Sequence, residues 1–260
     1  MHTIFRALVW AHLSAGSVGL VLFWVETLGT AKGGRAHKVW GKVFVACMLF
    51  TGTMALLMST LTLLDPFTTH PHFVGHPTFG DGQLVRALFG WMMQFLALLT
   101  VSLAWHGWGV VVHKRDHGAN RNIPNMVLQV AVIVTALNTA WRGWVIGQPV
   151  MLGLPVVGVA SGVTNLWFAC GDTPRRFAYL IEHVKALVGA GISAYTAFLA
   201  FGLVRLMPDR VFTPVLWAIP LGGGLAIIIY HTVRFMRLRG RGVPVSAVVP
   251  GSGSRASGAW

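Results

Sequence analysis

The chain has 260 residues, of which 55% are hydrophobic and only 10% are charged, and its formal net charge is +13. About a quarter of the residues of a soluble domain are charged, so this composition excludes an ordinary soluble protein. In a soluble chain so much positive charge would favour a nucleic-acid partner. Here the basic residues lie between long apolar segments, so we expect a lipid bilayer as the partner and no nucleic acid.

Seven apolar segments follow one another along the chain, and each is long enough to cross a bilayer as a helix. They cover about 5–30, 39–64, 86–112, 124–146, 150–170, 179–206 and 212–235. The basic tail, 236–260, is rich in Gly and Ser towards its end and is predicted to be disordered. The fold class is therefore all-α, a polytopic transmembrane helix bundle with seven spans in one domain, 1–235.

Lysine and arginine are distributed unevenly between the two sides of this bundle. If the spans alternate in direction, fourteen of these residues lie on the side of the C-terminus and five on the opposite side. Cytoplasmic segments of membrane proteins carry the excess of positive charge. The distribution predicts an N-out, C-in orientation.

The sixth segment combines a charged beginning with a stripe of small residues. Glu182, His183 and Lys185 stand at its start, and small residues then recur at helical spacing from Ala186 to Ala197. Because small residues let helix backbones approach closely, this helix is predicted to lie inside the bundle.

Polar residues within the spans fall at two depths when residues are counted from the predicted helix ends. Such residues are costly in a membrane and usually face the bundle interior. The group nearer the outer side is His12, Asn138 and Arg142. The group nearer the inner side is Glu26, His106, Glu182, His183, Lys185 and His231. We also expect His12 and Arg142 to face each other.

The inner group is compatible with several kinds of chemistry. His183 with His106 or His231 could be the axial ligands of a haem b, and the small residues nearby would make room for the macrocycle. The same histidines and glutamates could bind a divalent metal or relay protons. The simpler interpretation is an ion pair between Glu182 and Lys185 at the level of the lipid headgroups.

The loop between the second and third segments holds three histidines within seven residues, His70, His72 and His76. Imidazole nitrogens are common ligands of zinc and copper. The spacing makes an outer-loop metal site a hypothesis, although loops of this composition are often only solvated.

Two short motifs are similar to a known family. Lys32-Gly33-x-x-x-His37-x-x-x-Gly41, after a first segment with His12, and His183 followed by the sequence GISAYTAF at 191–198 resemble the bacterial membrane family called domain of unknown function 2306 (DUF2306). The resemblance implies a multi-pass helical protein of the bacterial plasma (inner) membrane and no established activity. The residues it singles out are His12, Gly33, His37, Gly41 and His183.

Three functional hypotheses follow. The first is a redox or haem- or metal-binding role built on the inner histidines, with a redox partner in the membrane. The second is a non-enzymatic transporter or channel-like bundle that uses Glu26, Glu182 and Arg142. The third is a structural or assembly subunit of a membrane protein complex.

Overall fold

A computed structural model describes residues 2–172, 174, 177–202 and 214–248 of the chain. All regular structure in these ranges is helical, and seven helices are long and apolar enough to cross a membrane. We name them α1 (His2–Gly29), α2 (Arg35–Leu64), α3 (Gly82–Val112), α4 (Ile123–Val145), α5 (Val150–Cys170), α6 (Ala178–Ala200) and α7 (Pro214–Gly240). The prediction of an all-α fold with seven apolar spans is confirmed, and the N-out, C-in orientation stays a prediction.

The helix ends differ little from the predicted ones where the structure describes them. α7 continues to Gly240 and a short helix covers Val245–Val248, so the part of the predicted tail before residue 249 contains helix. The predicted end of the sixth span at 206 and start of the seventh at 212 lie outside the described residues, as does the tail from 249 onward. Short helices also occupy Pro66–Thr69, Pro71–Phe73 and His117–Arg121.

The segment between α3 and α4 shows how side chains complete the helix ends. Asn122 accepts a hydrogen bond from the Asn125 backbone N–H and caps the start of α4, where Pro124 occupies the first turn. Arg121 donates to the carbonyl oxygens of Ala169, Cys170 and Gly171 at the end of α5. These carbonyls have no partner within the helix, so one guanidinium satisfies them and joins α5 to the start of α4.

α3 lies at the centre of the bundle. Of an apolar 18-residue stretch of α3, 72% is buried, compared with 39% for α6 and 17% for α1 and α7. α3 packs against α2, α4 and α6, while α1 packs on α2, α5 on α4 and α7 on α6. The small-residue face of α6 makes the expected close contacts, because Gly189 lies against Leu103 of α3 and Gly191 against Phe23 of α1.

The two ends of the bundle differ in chemistry. One end, here called the basic end, carries the connections 30–34 and 113–122, residues 171–172 and the end of α7, with most of the lysines and arginines of the described residues. The other end carries the histidine loop, 65–81, and the tight connection 146–149.

Candidate functional site

A cavity of about 190 Å³ lies at the basic end between α1, α2, α3, α6 and α7. Much of its wall is apolar, with Phe23, Phe44, Trp108, Leu187 and Ile227 among the lining side chains. The charged and imidazole side chains of its lining are Glu26, His37, His183, His231, Lys32, Lys38, Lys42, Lys114 and Arg234. Among the described lining residues, five are therefore lysine or arginine and one is a carboxylate. An apolar wall with a cationic rim is the main chemical character of this cavity.

The π-helical end of α1 and the residues that follow it place the carboxylate of Glu26 in the cavity. Glu26 lies in a π-helical turn, Val25–Gly29, and its Oε2 atom is 2.5 Å from Nδ1 of His37. Gly33, with φ of 77°, makes the left-handed turn that brings α2 back along α1. A Cβ atom at Gly41 would lie 3.5 Å from Oε2, so the absence of a side chain there leaves space beside the carboxylate. The residues of the first motif thus converge on Glu26.

Lys32 caps the C-terminal end of α1. Its Nζ atom donates to the carbonyl oxygens of Glu26 and Thr27, which have no partner within the helix. Burial lowers the pKa of Lys32, and the charge of Glu26 opposes this effect. A lysine at this position also interacts favourably with the negative end of the helix dipole.

The lysines and arginines that line the cavity, here called the rim, lie close enough to repel one another. Burial lowers the pKa of Lys114, and the nearby cations Lys38 and Arg115 lower it further. Like charges disfavour the protonated ammonium form, because each raises the electrostatic energy of the other. The rim therefore has a positive potential that a bound anion would relieve.

Two histidines of the inner group, His183 and His231, line this cavity. Nδ1 of His183 donates to the carbonyl oxygen of Gly107 at 2.8 Å, which leaves Nε2 of a neutral ring as an acceptor. His231 packs against Phe235, with ring centroids 6.0 Å apart, and its buried Nδ1 makes no hydrogen bond to any described residue. His183 and His231 therefore line the same cavity.

His106, the third histidine of the inner group, belongs to a different cluster. Its Nε2 atom is 3.3 Å from Oε1 of Glu182, and its Nδ1 atom is 3.3 Å from Oδ1 of Asn125. Lys185 lies 2.5 Å from the same Glu182 oxygen and donates to the hydroxyl of Thr164 at 3.1 Å. The expected ion pair of Glu182 and Lys185 therefore exists, and it includes His106.

Buried amides complete this second cluster. Gln129 donates to Oδ1 of Asn125, and Asn165 donates to the side-chain oxygen of Gln129. The cluster therefore joins α3, α4, α5 and α6, with each element contributing a buried polar side chain. These three amides are absent from the residues predicted from the sequence, although Asn125 and Gln129 stand one helical turn apart in an apolar segment.

The expectation of one inner site is therefore corrected. Glu26, His183 and His231 line the cavity, whereas His106 and Glu182 lie in the buried cluster. Residue counting gives the depth of a side chain along a helix but not its direction around the axis. On α3 the neighbouring residue Gly107 presents its carbonyl to His183, and His106 projects towards Asn125 instead.

The outer polar residues make contacts in two separate places. Nδ1 of His12 donates to the carbonyl oxygen of Thr51 on α2 at 3.0 Å. Arg142 donates to Oδ1 of Asn138 at 3.3 Å, and its Cζ lies 4.1 Å from the ring centroid of Trp91 on α3. The contacts described for these residues tie α1 to α2 and α4 to α3, and they do not join His12 to Arg142.

In the histidine loop, His70 is packed among aromatic rings. Its ring centroid lies 5.4 Å from that of Phe5, 5.8 Å from that of Phe73 and 4.8 Å from that of Phe89. Burial lowers the pKa of His70 to about 4, with a further contribution from His72. The ring is therefore held neutral as part of the core that closes this end.

The other two histidines also have local partners. Nδ1 of His76 accepts hydrogen bonds from the backbone N–H groups of Thr78 and Phe79, and the ring of His72 lies 4.2 Å from that of Phe73. Nowhere in the described part of the chain do three His, Cys, Asp or Glu side chains come together as metal ligands would. The structure thus gives no support to the metal hypotheses for this loop or for the inner residues.

The fold and the cavity are compatible with a multi-pass integral membrane protein that has a binding site at one end of its helix bundle. Comparison of the chain with protein-family models, with curated protein sequences and with solved structures finds no match. The resemblance to DUF2306 accordingly stays a prediction.

Proposed function

We propose that the protein is a non-enzymatic membrane binding protein of the carrier or channel-like class, whose cavity at the basic end takes an anionic amphiphile. The acidic head would lie among the cations of the rim, and the apolar part would lie along the aromatic and aliphatic wall. The observation that carries the proposal is the lining itself. Five lysines and arginines and one carboxylate leave four positive charges with the histidines neutral.

The position of the cations supports this arrangement. Lys42 and Arg234 are exposed, whereas Lys32 is partly buried, so positive charge extends from the mouth into the cavity. Partly desolvated cations are stabilised by an anion that they can share. The apolar wall, which includes Phe23 and Trp108, contributes the non-directional attraction that a hydrocarbon chain requires. Cations that only contact bulk lipid headgroups would give no saturable binding.

The experiment is a calorimetric titration of the purified protein in a neutral detergent with decane-1-sulfonate, an amphiphile with a permanent single negative charge. We expect saturable binding of this probe, much weaker binding of methanesulfonate, which lacks the chain, and none of decyltrimethylammonium. A double variant, Lys42→Gln with Arg234→Gln, should weaken binding about tenfold.

The matched control removes the same amount of charge from the same end. Arg237→Gln with Arg239→Gln changes two cations of α7 that do not line the cavity. Binding in this variant should be close to that of the unchanged protein. If both double variants lose the same affinity, general surface charge and not the cavity attracts the probe, and the proposal fails.

A haem b is a second candidate for the same cavity, because its propionates and macrocycle also make it an anionic amphiphile. The observation that favours it is the hydrogen bond from Nδ1 of His183 to the Gly107 carbonyl, with His231 in the same lining. Histidines that ligate metals commonly donate their other ring N–H in this way. Absorbance spectra of the oxidised and reduced protein decide the matter, since a haem-linked Soret band should disappear in His183→Ala at unchanged yield.

A further inference from the structure

We infer that Glu26 is a proton site coupled to the cavity, so that the binding of an anionic ligand is accompanied by the uptake of one proton. This inference rests on the proposed function and adds a co-substrate to it. The proton binds to the Glu26 carboxylate when an anion occupies the rim.

Glu26 is placed as such a site requires. The residue is 8% exposed and lines the cavity, so it is buried from bulk water yet faces the space that a ligand would fill. Neither Oε1 nor Oε2 has a hydrogen bond of good geometry to any described residue, although Oε2 is 2.5 Å from Nδ1 of His37. A carboxylate oxygen with no donor can accept a proton without losing a hydrogen bond. The space beside Gly41 keeps the carboxylate accessible.

The charges around Glu26 explain the coupling. His37 lies beside the carboxylate and Lys32 donates to the Glu26 carbonyl oxygen, and the cavity is also lined by Lys38, Lys42, Lys114, Arg234, His183 and His231. These groups favour an ionised carboxylate while no ligand is present, because opposite charges stabilise it. A bound anion competes for the same cations and adds a like charge next to Glu26, which favours the carboxylic acid.

The step balances in charge and atoms. One ligand anion and one proton enter, the proton forms an O–H bond to the Glu26 carboxylate, and the net charge of the occupied site is unchanged. Linkage then requires the affinity for the anion to fall about tenfold for each unit of increasing pH, over the range in which Glu26 is ionised in the free protein and protonated in the complex.

The alternative is that Glu26 and His37 form a structural pair that only holds α1 against α2. In that case the carboxylate would stay ionised when a ligand binds, and binding would involve no proton. The two roles can be separated because only the first makes the measured binding enthalpy depend on the buffer.

The experiment is calorimetry of decane-1-sulfonate binding in two buffers that differ in ionisation enthalpy, which reports the number of protons exchanged. The sulfonate does not titrate, so any proton is taken up by the protein. We expect uptake of about one proton in the unchanged protein. In Glu26→Gln we expect no uptake, together with an affinity that no longer depends on pH.

The matched control is Glu182→Gln, because Glu182 is the other glutamate of the chain and lies in the His106 cluster. This variant should retain proton uptake. If Glu26→Gln does not fold, infrared difference spectra of the unchanged protein and of Glu182→Gln provide the test, since ligand addition should produce a protonated-carboxyl band in both. Binding without proton uptake overturns the coupling alone, whereas absence of saturable binding overturns the proposed function and the coupling with it.

Discussion

Gly158 of α5 gives a quantitative test of the helix packing. A Cβ atom at this position would lie 2.3 and 2.7 Å from ring atoms of Phe95 and 3.3 Å from Cβ of Ala136. Phe95 is fully buried, so its ring has no free space to enter and α5 would have to move away from α3 and α4. Overpacking of this kind costs about 1–3 kcal/mol. We therefore expect Gly158→Ala to destabilise the bundle.

Gly153 provides a control on the same helix. A Cβ atom there would meet nothing within 4 Å, so Gly153→Ala should stabilise α5 by about 0.5–1 kcal/mol through the loss of backbone freedom in the unfolded chain. Since this gain is common to both substitutions, the difference between the two variants isolates the overpacking cost of about 1–3 kcal/mol.

The assay is unfolding in mixed micelles with increasing sodium dodecyl sulfate, followed by the circular dichroism of the helices. The free energies of unfolding of the two alanine variants are compared under the same conditions. Equal free energies of unfolding for the two variants would refute the close contact of α5 with Phe95. They would also contradict the packing of α5 against α3 and α4.

Two further predictions concern the histidine loop and the orientation. Because burial lowers the pKa of His70 to about 4 from an ordinary value of about 6.5, the folded state disfavours its protonation. The contribution of His70 to the free energy of unfolding should be complete above pH 6.5 and should fall by on the order of 3 kcal/mol as the pH decreases to 4. Thermal unfolding of His70→Phe should lack this pH-dependent loss. An equal pH dependence of unfolding in both proteins would contradict the prediction. With Cys47 and Cys170 replaced by serine, a cysteine at Thr78 should react with an impermeant thiol reagent outside the cell and one at Ala119 should not, and the reverse pattern would exclude the N-out orientation.

Much of the fold could be predicted from the sequence, because a membrane requires about twenty apolar residues for each spanning helix. The seven segments met this condition, and the small residues of α6 correctly indicated close packing, for example at Gly191 beside Phe23. Which helix lies at the centre of the bundle could not be predicted from the sequence. α3 is the most enclosed helix, yet in sequence it is one more apolar segment, and its buried polar residues Thr100, Ser102 and His106 do not indicate a central position.

The candidate site could be predicted only in part. His183, His231 and Glu26 were selected as polar residues at one depth, and the structure places them around one cavity. In sequence, Lys42 and Arg234 indicate only the orientation of the bundle, because they stand at helix ends where cations usually contact lipid headgroups. Their common position depends on how α2 and α7 are rotated about their axes, and helical periodicity alone does not fix that rotation.

The central position of α3 has a consequence for the order in which the chain enters the membrane during synthesis. His106 and its partner Glu182 are 76 residues apart, as are Gly107 and His183. At 5–20 residues per second, the ribosome needs about 4–15 s to make the segment between them. For that interval the polar face of α3 lacks its contacts with α6, and α4, which follows α3 directly, brings Asn125 to His106 first. Nascent α3 therefore depends on α4, or on the insertion machinery, to shield it from lipid until α6 arrives.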